Sequence, residues 1–402
     1  MANPQHEQPT IENPKLSLII TISTFFLASI FLNISPKTTP TLSLQGFWPK
    51  TQTPKETVTP KQTCNLFQGK WVYDEKYFFY RDEECSYIHP EFSCQKNGRR
   101  DWRYERWRWE PDECELMGFD GVKLLERIRG KRMVFVGDSL SKNQWESMLC
   151  MVGNGSWERG RKGRRGPGVF YGDFGVSIEI SWSPFLVRFE GRNGENESLS
   201  LDMVDENTGE WKDAGVLVFN TGHWWTHPKS DNYYRENGSF IPMMKDWEAY
   251  ERGLRTWGRW VLENVDPTKT LVFFLTYSPT HYRHQLWEKT TKGACFNETE
   301  VIEEKSIMGK ESLVEMELRR VEKVAHVIED MGLPVKLLNI TWMSLYRKDA
   351  HTTMFNNRNG NGARLMSGDY SMVDCSHWCL PGLPDVWNHL LYASIMGDHD
   401  IV

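Results

Sequence analysis

The chain has 402 residues, 39% of them hydrophobic, enough for one large core or two modest ones. A formal net charge of -6 provides no overall basic field, so nothing in the composition argues for nucleic acid as a partner. Tryptophan is abundant, with 18 residues; such rings either fill a core or lie against flat apolar faces such as those of sugars.

Residues 16–34 carry no charge and are almost all Leu, Ile, Phe, Thr, Ser and Ala. As a helix they span roughly 28 Å, enough to cross a hydrocarbon core of about 30 Å. An uncleaved signal-anchor is preferred to a cleaved signal peptide, because only Lys15 closely precedes the run and the small-residue cleavage site is unconvincing. Orientation follows from the cysteines. Cys64, Cys85, Cys94, Cys114, Cys150, Cys295, Cys375 and Cys379 all lie after the apolar run, an even set suited to disulfides in an oxidising lumen. Glycosylation sequons at Asn154, Asn196, Asn237, Asn297 and Asn339 fall on the same side. The expected organisation is a cytosolic tail over 1–15, a transmembrane signal-anchor over 16–34, a stem over 35–62 and a lumenal catalytic domain over 63–402. The stem reads as flexible because its Pro, Thr, Ser, Lys and Gln residues bury too little surface to offset their ordering.

The lumenal part opens with a Cys-, Trp-, Tyr- and Arg-rich section, 63–118, that lacks periodicity and reads as a disulfide-stapled subdomain or a wrap around the core. Beyond it, residues 133–137, 216–220, 271–275 and 335–339 read as strands buried on both faces. Met243, Trp247, Tyr250, Leu254, Trp257 and Val261 recur at helical spacing, as do Leu313, Met316, Val321, Val324 and Ile328. This alternation predicts an α/β fold, a parallel sheet flanked by helices.

Two places have the composition of a catalytic centre. The first is Arg132-Met-Val-Phe-Val-Gly137-Asp138-Ser139-Leu140, where a strand delivers a serine onto a turn that opens a helix. Gly137 permits the tight backbone, and the helix N-terminus offers N–H groups and a favourable field to a developing oxyanion. The bland alternative is a strand-end turn in which Asp138 simply caps the helix. The second is Asp374-Cys-Ser-His377-Trp-Cys379. Three-residue spacing lets one turn hold Asp374 beside His377 to orient its imidazole as a base, and the flanking cysteines can make that loop rigid.

In order and position, the serine block and the Asp-x-x-His block match the GDSL/SGNH-like esterases. The blocks Phe135-Val-Gly-Asp-Ser139-Leu-Ser-Lys-Asn-Gln144, Val218-Phe-Asn220-Thr-Gly-His-Trp-Trp225 and Val373-Asp374-Cys-Ser-His377-Trp-Cys379-Leu-Pro-Gly resemble the plant trichome birefringence-like family. The entry Cys64-Asn-Leu-Phe-Gln-Gly-Lys-Trp-Val72, with Trp107-Arg-Trp109-Glu-Pro, does so too, and the resemblance runs from Cys64 to Asp398. It implies an SGNH-hydrolase-like domain of a single-pass type II Golgi membrane protein, a polysaccharide O-acetyltransferase acting on xylan, mannan, xyloglucan or pectin. Ser139 would be the nucleophile, His377 the general base and Asp374 its orienting partner. Asn220, with the Ser139 N–H, would be an oxyanion donor. Many relatives carry Arg where this chain has Lys142, and Lys lacks the planar multi-donor fork, which puts an oxyanion role there in doubt. The resemblance also implies the disulfides Cys64–Cys114, Cys85–Cys150, Cys94–Cys379 and Cys295–Cys375; spacing alone leaves the pairing open. No bound cofactor or metal is expected. The co-substrate would be acetyl-CoA or another acetyl carrier, and partners would be the polysaccharide and the Golgi acetylation machinery.

Rival readings are an acetylesterase with the same triad, a non-catalytic wall-binding or bridging protein, and a Golgi glycosyltransferase. The last has only Asp398 and Asp400 as an Asp-x-Asp pair, at the extreme C-terminus. His223 and His227 have the spacing of metal ligands but lack a third, and read better as groove lining. His281 and His284, with Tyr277 and Tyr282, follow a predicted strand end where substrate loops collect, although a hydrogen-bonded loop histidine is the default. The basic run at 159–165 reads as a solvated loop, with attraction of acidic pectin as the alternative.

Overall fold

The structure is a computed structural model that describes residues 64–158, 166–192, 195–227, 229–230, 233–287, 294–307, 310, 312, 314–356 and 373–397. The expected tail, signal-anchor and stem, the basic run at 159–165, Leu313, Asp398 and Asp400 lie outside the described residues. Among the described residues no helix is long and apolar enough to cross a membrane.

The chain begins with β1 (Gly69–Tyr73) and β2 (Trp107–Pro111), an antiparallel pair on which Trp71 meets Trp109 edge-on. Helix α1 (Gly121–Arg127) leads into β3 (Arg132–Gly137) and α2 (Ser139–Val152). There follow β4 (Ser156–Glu158), β5 (Gly168–Tyr171), β6 (Val176–Trp182), β7 (Val187–Arg192), β8 (Glu195–Val204), β9 (Val216–Asn220), β10 (Tyr234–Glu236) and β11 (Ser239–Phe240). The long helix α3 (Asp246–Asn264) precedes β12 (Leu271–Leu275), and α4 (Glu315–Asp330) precedes β13 (Val335–Leu338). The last elements are α5 (Thr341–Leu345), β14 (His351–Thr353), β15 (Asp374–Trp378) and α6 (Leu383–Met396).

A seven-stranded sheet runs in the order β13-β12-β9-β3-β6-β5-β4. Its strands from β13 to β6 are parallel, while β5 and β4 are antiparallel additions, so the sheet is mixed rather than wholly parallel. Both faces are covered, which explains the unbroken apolar strands. Phe135, Val218 and Phe273 turn to a core shared with Leu140, Met148, Trp387 and Leu390 of α2 and α6. Val134, Val136, Phe219 and Phe274 turn to the opposite core with Leu254, Trp257 and Val324 of α3 and α4. The Cys-rich section is a wrap, since its Cys64, Leu66, Phe67, Cys94, Tyr104 and Trp109 belong to the first of these cores.

Several sequence expectations need correcting. The strand expected over 335–339 ends at Leu338. Met243 lies ahead of α3, 84% exposed and in the left-handed region at φ 57°, so the helical stripe begins only at Trp247. In α4 the buried stripe is Val324 and Val327, and Met316 is exposed. A second sheet, β11-β10-β8-β7, was not expected. Its strands interleave Arg188, Glu190, Ser198 and Ser200 with apolar residues, and β10 joins β8 in parallel across a gap no local pattern announces.

Candidate active site

Strand β3 ends at Gly137, which lies opposite Asn220 of β9 on one side and Trp182 of β6 on the other. Its φ of 154° and its crowding both demand glycine, because an added Cβ would sit 2.0 Å from the Asn220 carbonyl oxygen and 2.3 Å from Ser141 Oγ. Asp138 then leaves the helical region and caps α2, its carboxylate accepting the Leu140 N–H at 2.9 Å. Burial pushes the Asp138 carboxyl up to about 6, against the pull of that hydrogen bond and of His377. Ser139 follows as the first residue of the helix, half-buried at its positive end.

The partners of Ser139 arrive from the far end of the chain. His377 Nε2 lies 2.7 Å from Ser139 Oγ, and His377 Nδ1 lies 2.7 Å from Asp374 Oδ2. The other carboxylate oxygen of Asp374 accepts the backbone N–H groups of Ser376 at 2.9 Å and His377 at 3.1 Å. Burial alone would raise the Asp374 pKa, but the charge of His377 and these hydrogen bonds hold it well below the ordinary carboxylate range. The expected helical turn is absent. Asp374 and His377 lie on β15, where four residue steps from Trp378 to Asp374 face two steps of β14 from His351 to Thr353. That irregularity, together with the side-chain-to-backbone bonds of Asp374, re-aims residues that a regular strand would point to opposite faces.

The strand is held from several directions. Asn143, one helical turn beyond Ser139 on α2, accepts the Trp378 N–H at 2.9 Å and donates to the Trp378 carbonyl at 3.1 Å. The helix that carries the serine therefore also clamps the residue next to His377. Asn143 was given no role in the sequence reading, and its spacing of four from Ser139 is the signal that marks it. Disulfides Cys295–Cys375 and Cys94–Cys379 flank the histidine, and Cys64–Cys114 and Cys85–Cys150 complete the four pairs that the resemblance implied.

Behind the strand lies a short chain of imidazoles. His351 Nδ1 is 2.9 Å from the His377 carbonyl, His351 Nε2 is 2.6 Å from His281 Nδ1, and His281 Nε2 is 2.8 Å from the Leu345 carbonyl. His351 also stacks on Trp378 at 3.7 Å. Burial pushes His281 down to about 4 and His351 well below its usual value, so both are neutral near neutral pH. His281 is thus a buried, hydrogen-bonded loop histidine, the default reading, that supports β15 from behind, and nothing places it against an acceptor.

Other expected residues are placed differently. The Asn220 amide donates to the carbonyls of Leu275 at 3.1 Å and Thr276 at 3.3 Å, so it ties two strand ends together. Lys142 pairs with Glu91 at 2.9 Å and Glu146 at 3.6 Å and lies over the Phe92 ring. Those contacts commit both side chains elsewhere than to an oxyanion. His223 is buried against the Tyr277 ring with its Nε2 at 2.6 Å from the Ser278 carbonyl, while His227 is exposed. Among the described residues no group of three His, Cys, Asp or Glu side chains is placed to hold a metal.

Residues 116–394 match the family described as a GDSL/SGNH-like acyl-esterase family found in Pmr5 and Cas1p. Residues 62–115 match the PMR5 N-terminal domain. Protein trichome birefringence-like 1 of Arabidopsis thaliana is 39% identical over 360 residues, which cover 85% of this chain and 63% of the relative. Protein trichome birefringence-like 43 of the same plant is 38% identical over 345 residues, covering 84% of this chain and 89% of the relative. Xylan O-acetyltransferase 3 of Oryza sativa subsp. japonica is 37% identical over 356 residues, covering 84% of this chain and 77% of the relative. The chain thus spans less than two thirds of the length of the first of these three.

Proposed function

The chain belongs to the GDSL/SGNH-like acyl-esterase family found in Pmr5 and Cas1p, and from that premise we propose that it is a polysaccharide O-acetyltransferase with Ser139 as nucleophile. The observation that carries this reading is the continuous hydrogen-bonded chain from Ser139 through His377 to Asp374. In the first half-reaction His377 Nε2 takes the Ser139 hydroxyl proton while Oγ bonds to the acetyl carbon of the donor. The donor's bond to that carbon breaks, and the proton passes to the leaving group. In the second, a sugar hydroxyl gives its proton to the same nitrogen and attacks the acetyl-serine. The ester to Oγ then breaks and the serine is reprotonated. The Ser139 N–H at the helix terminus supplies one donor to the oxyanion.

Xylan is the acceptor named for one of the relatives, and xylan or a similar cell-wall polysaccharide is proposed here. The donor is acetyl-CoA or another acetyl carrier. The apolar run at 16–34, with every cysteine and the five sequons following it, supports a single-pass anchor and a Golgi-lumenal, glycosylated catalytic domain.

Mass spectrometry of the full-length chain, given donor without acceptor, is expected to find an acetyl group on Ser139 that is absent from Ser139→Ala. Supplying oligosaccharide should discharge it with a gain of one acetyl on the sugar. Discharge to water alone would replace the transferase reading with an acetylesterase, which the same triad also supports. No acetyl-serine at all would remove the covalent mechanism.

A further inference from the structure

Large aromatic side chains that remain exposed include Phe78, Trp102, Trp182, Phe189, Phe240 and Tyr282. Two of these reach the surroundings of Ser139. Trp182 closes β6, opposite Gly137, and is 45% exposed where the six strand residues before it are buried. The next residue, Ser183, donates its N–H to the Gly137 carbonyl at 2.9 Å, which fastens the indole's backbone to the turn that presents Ser139. Tyr282 stands on the histidine side and is 47% exposed. Its hydroxyl accepts the Cys375 N–H at 3.2 Å and lies 3.3 Å from Ser376 Oγ, beside His377.

Trp182 is braced rather than covered. Trp224 meets it edge-on, with ring centres 5.8 Å apart and planes at 83°, and Trp224 in turn meets Phe185 at 89°. Among the described residues no ring lies face to face with Trp182. The turn that carries Trp224 is pinned by Lys229, whose ammonium donates to the carbonyls of Trp224 at 3.2 Å, Trp225 at 2.9 Å and His227 at 2.6 Å. Burial pushes that ammonium down to about 8. This wall therefore presents ring faces, with its own cation turned to the backbone.

An upright indole beside a nucleophile suits one ligand chemistry. A pyranose with equatorial hydroxyls has an apolar C–H face that lies against a π system, while its hydroxyls project from the ring edge. Because Trp182 lies opposite Gly137, two residues before Ser139, a ring held on it would stand near that serine. Lys229, the cation that pins this wall, is committed to carbonyls, which favours a neutral ring over a uronate.

We propose that Trp182, braced by Trp224, is the stacking platform for a neutral pyranose of the acceptor chain, with Tyr282 meeting the same chain on the His377 side. The inference rests on the acetyl-transfer reading, and the two can fail separately. In the full-length chain, with p-nitrophenyl acetate as donor and a xylo-oligosaccharide as acceptor, Trp182→Ala should raise the acceptor KM about five- to tenfold. The rate of acetyl-Ser139 formation from the donor should stay unchanged, and Trp182→Phe should recover most of the acceptor affinity. An unchanged acceptor KM in Trp182→Ala would overturn the platform, as would an oligogalacturonide acceptor with a lower KM than the neutral one. If the wild-type chain forms no acetyl-serine, the transfer reading falls and the platform is read by binding alone. Xylo-oligosaccharide should then quench the tryptophan fluorescence of Ser139→Ala and fail to do so once Trp182→Ala is added. Equal quenching and affinity in both proteins would overturn it.

Discussion

One Asp374 oxygen accepts two backbone N–H groups and the other faces His377 Nδ1, and that arrangement determines where the proton of His377 resides. An ionised Asp374 accepts the Nδ1–H, which leaves Nε2 as a lone pair facing the Ser139 hydroxyl. In Asp374→Asn the amide oxygen can still serve the two backbone N–H groups, but the amide nitrogen then faces Nδ1 and favours the other tautomer. The variant should fold with a melting temperature near wild type while kcat for acyl transfer falls by about 10³–10⁴. A rate within tenfold of wild type would show that Asp374 does not orient the base. Proton accounting also applies behind the site. The His281–His351 chain makes three contacts, two of them to carbonyls, yet two neutral imidazoles carry only two N–H groups. One nitrogen lone pair therefore faces an acceptor while the pair is neutral.

At the scale of elements, α2 organises the site. Its first residue is Ser139, its second turn clamps Trp378 through Asn143, and its Glu146 accepts the His89 N–H at 2.7 Å from the N-terminal wrap. Burial pushes the Glu146 carboxyl up to about 7, above its unfolded value. The folded chain then holds this proton more tightly than the unfolded chain, so the contribution to stability is present at low pH and is lost as pH rises from about 4.5 through about 7. Glu146→Gln removes the titration. Its stability relative to wild type should improve by roughly 2 kcal/mol between pH 5 and pH 8, as read by thermal melts at both values. A difference independent of pH would count against the raised carboxyl. The elements differ in how far the sequence discloses them. The strand around Phe135 and the serine turn were legible because burial on both faces and a Gly-Asp-Ser turn are local signals. That Asp374 and His377 stand together was legible too, but the backbone that joins them was not. Three-residue spacing suits a helical turn, and the irregular strand exists only because β14 pairs with it. The contact of His281 with His351 spans 70 residues and the join of β10 to β8 is not sequential, so neither leaves a periodic trace.

On the scale of the whole molecule, β15 and its partner β14 are anchored to parts of the chain that are remote in sequence. Arg99 of the N-terminal wrap donates to the carbonyls of His351 at 3.0 Å and Asp349 at 2.6 Å, and Cys94 of the same wrap is bonded to Cys379. The Cys94–Cys379 bond closes a separation of 285 residues, so Cys94→Ala/Cys379→Ala should cost about 3–5 kcal/mol by calorimetry and slow formation of acetyl-Ser139. Unchanged stability and rate would show that the wrap does not hold the site. The same bond sets a schedule. During synthesis at about 5–20 residues per second, Cys94 emerges roughly 15–60 s before Cys379. For most of that interval, once residue 139 has emerged, the growing chain carries Ser139 without His377, its proposed base, or the bond that fixes that base, so a chain released before residue 374 has the serine but not the hydrogen-bonded partners proposed to activate it.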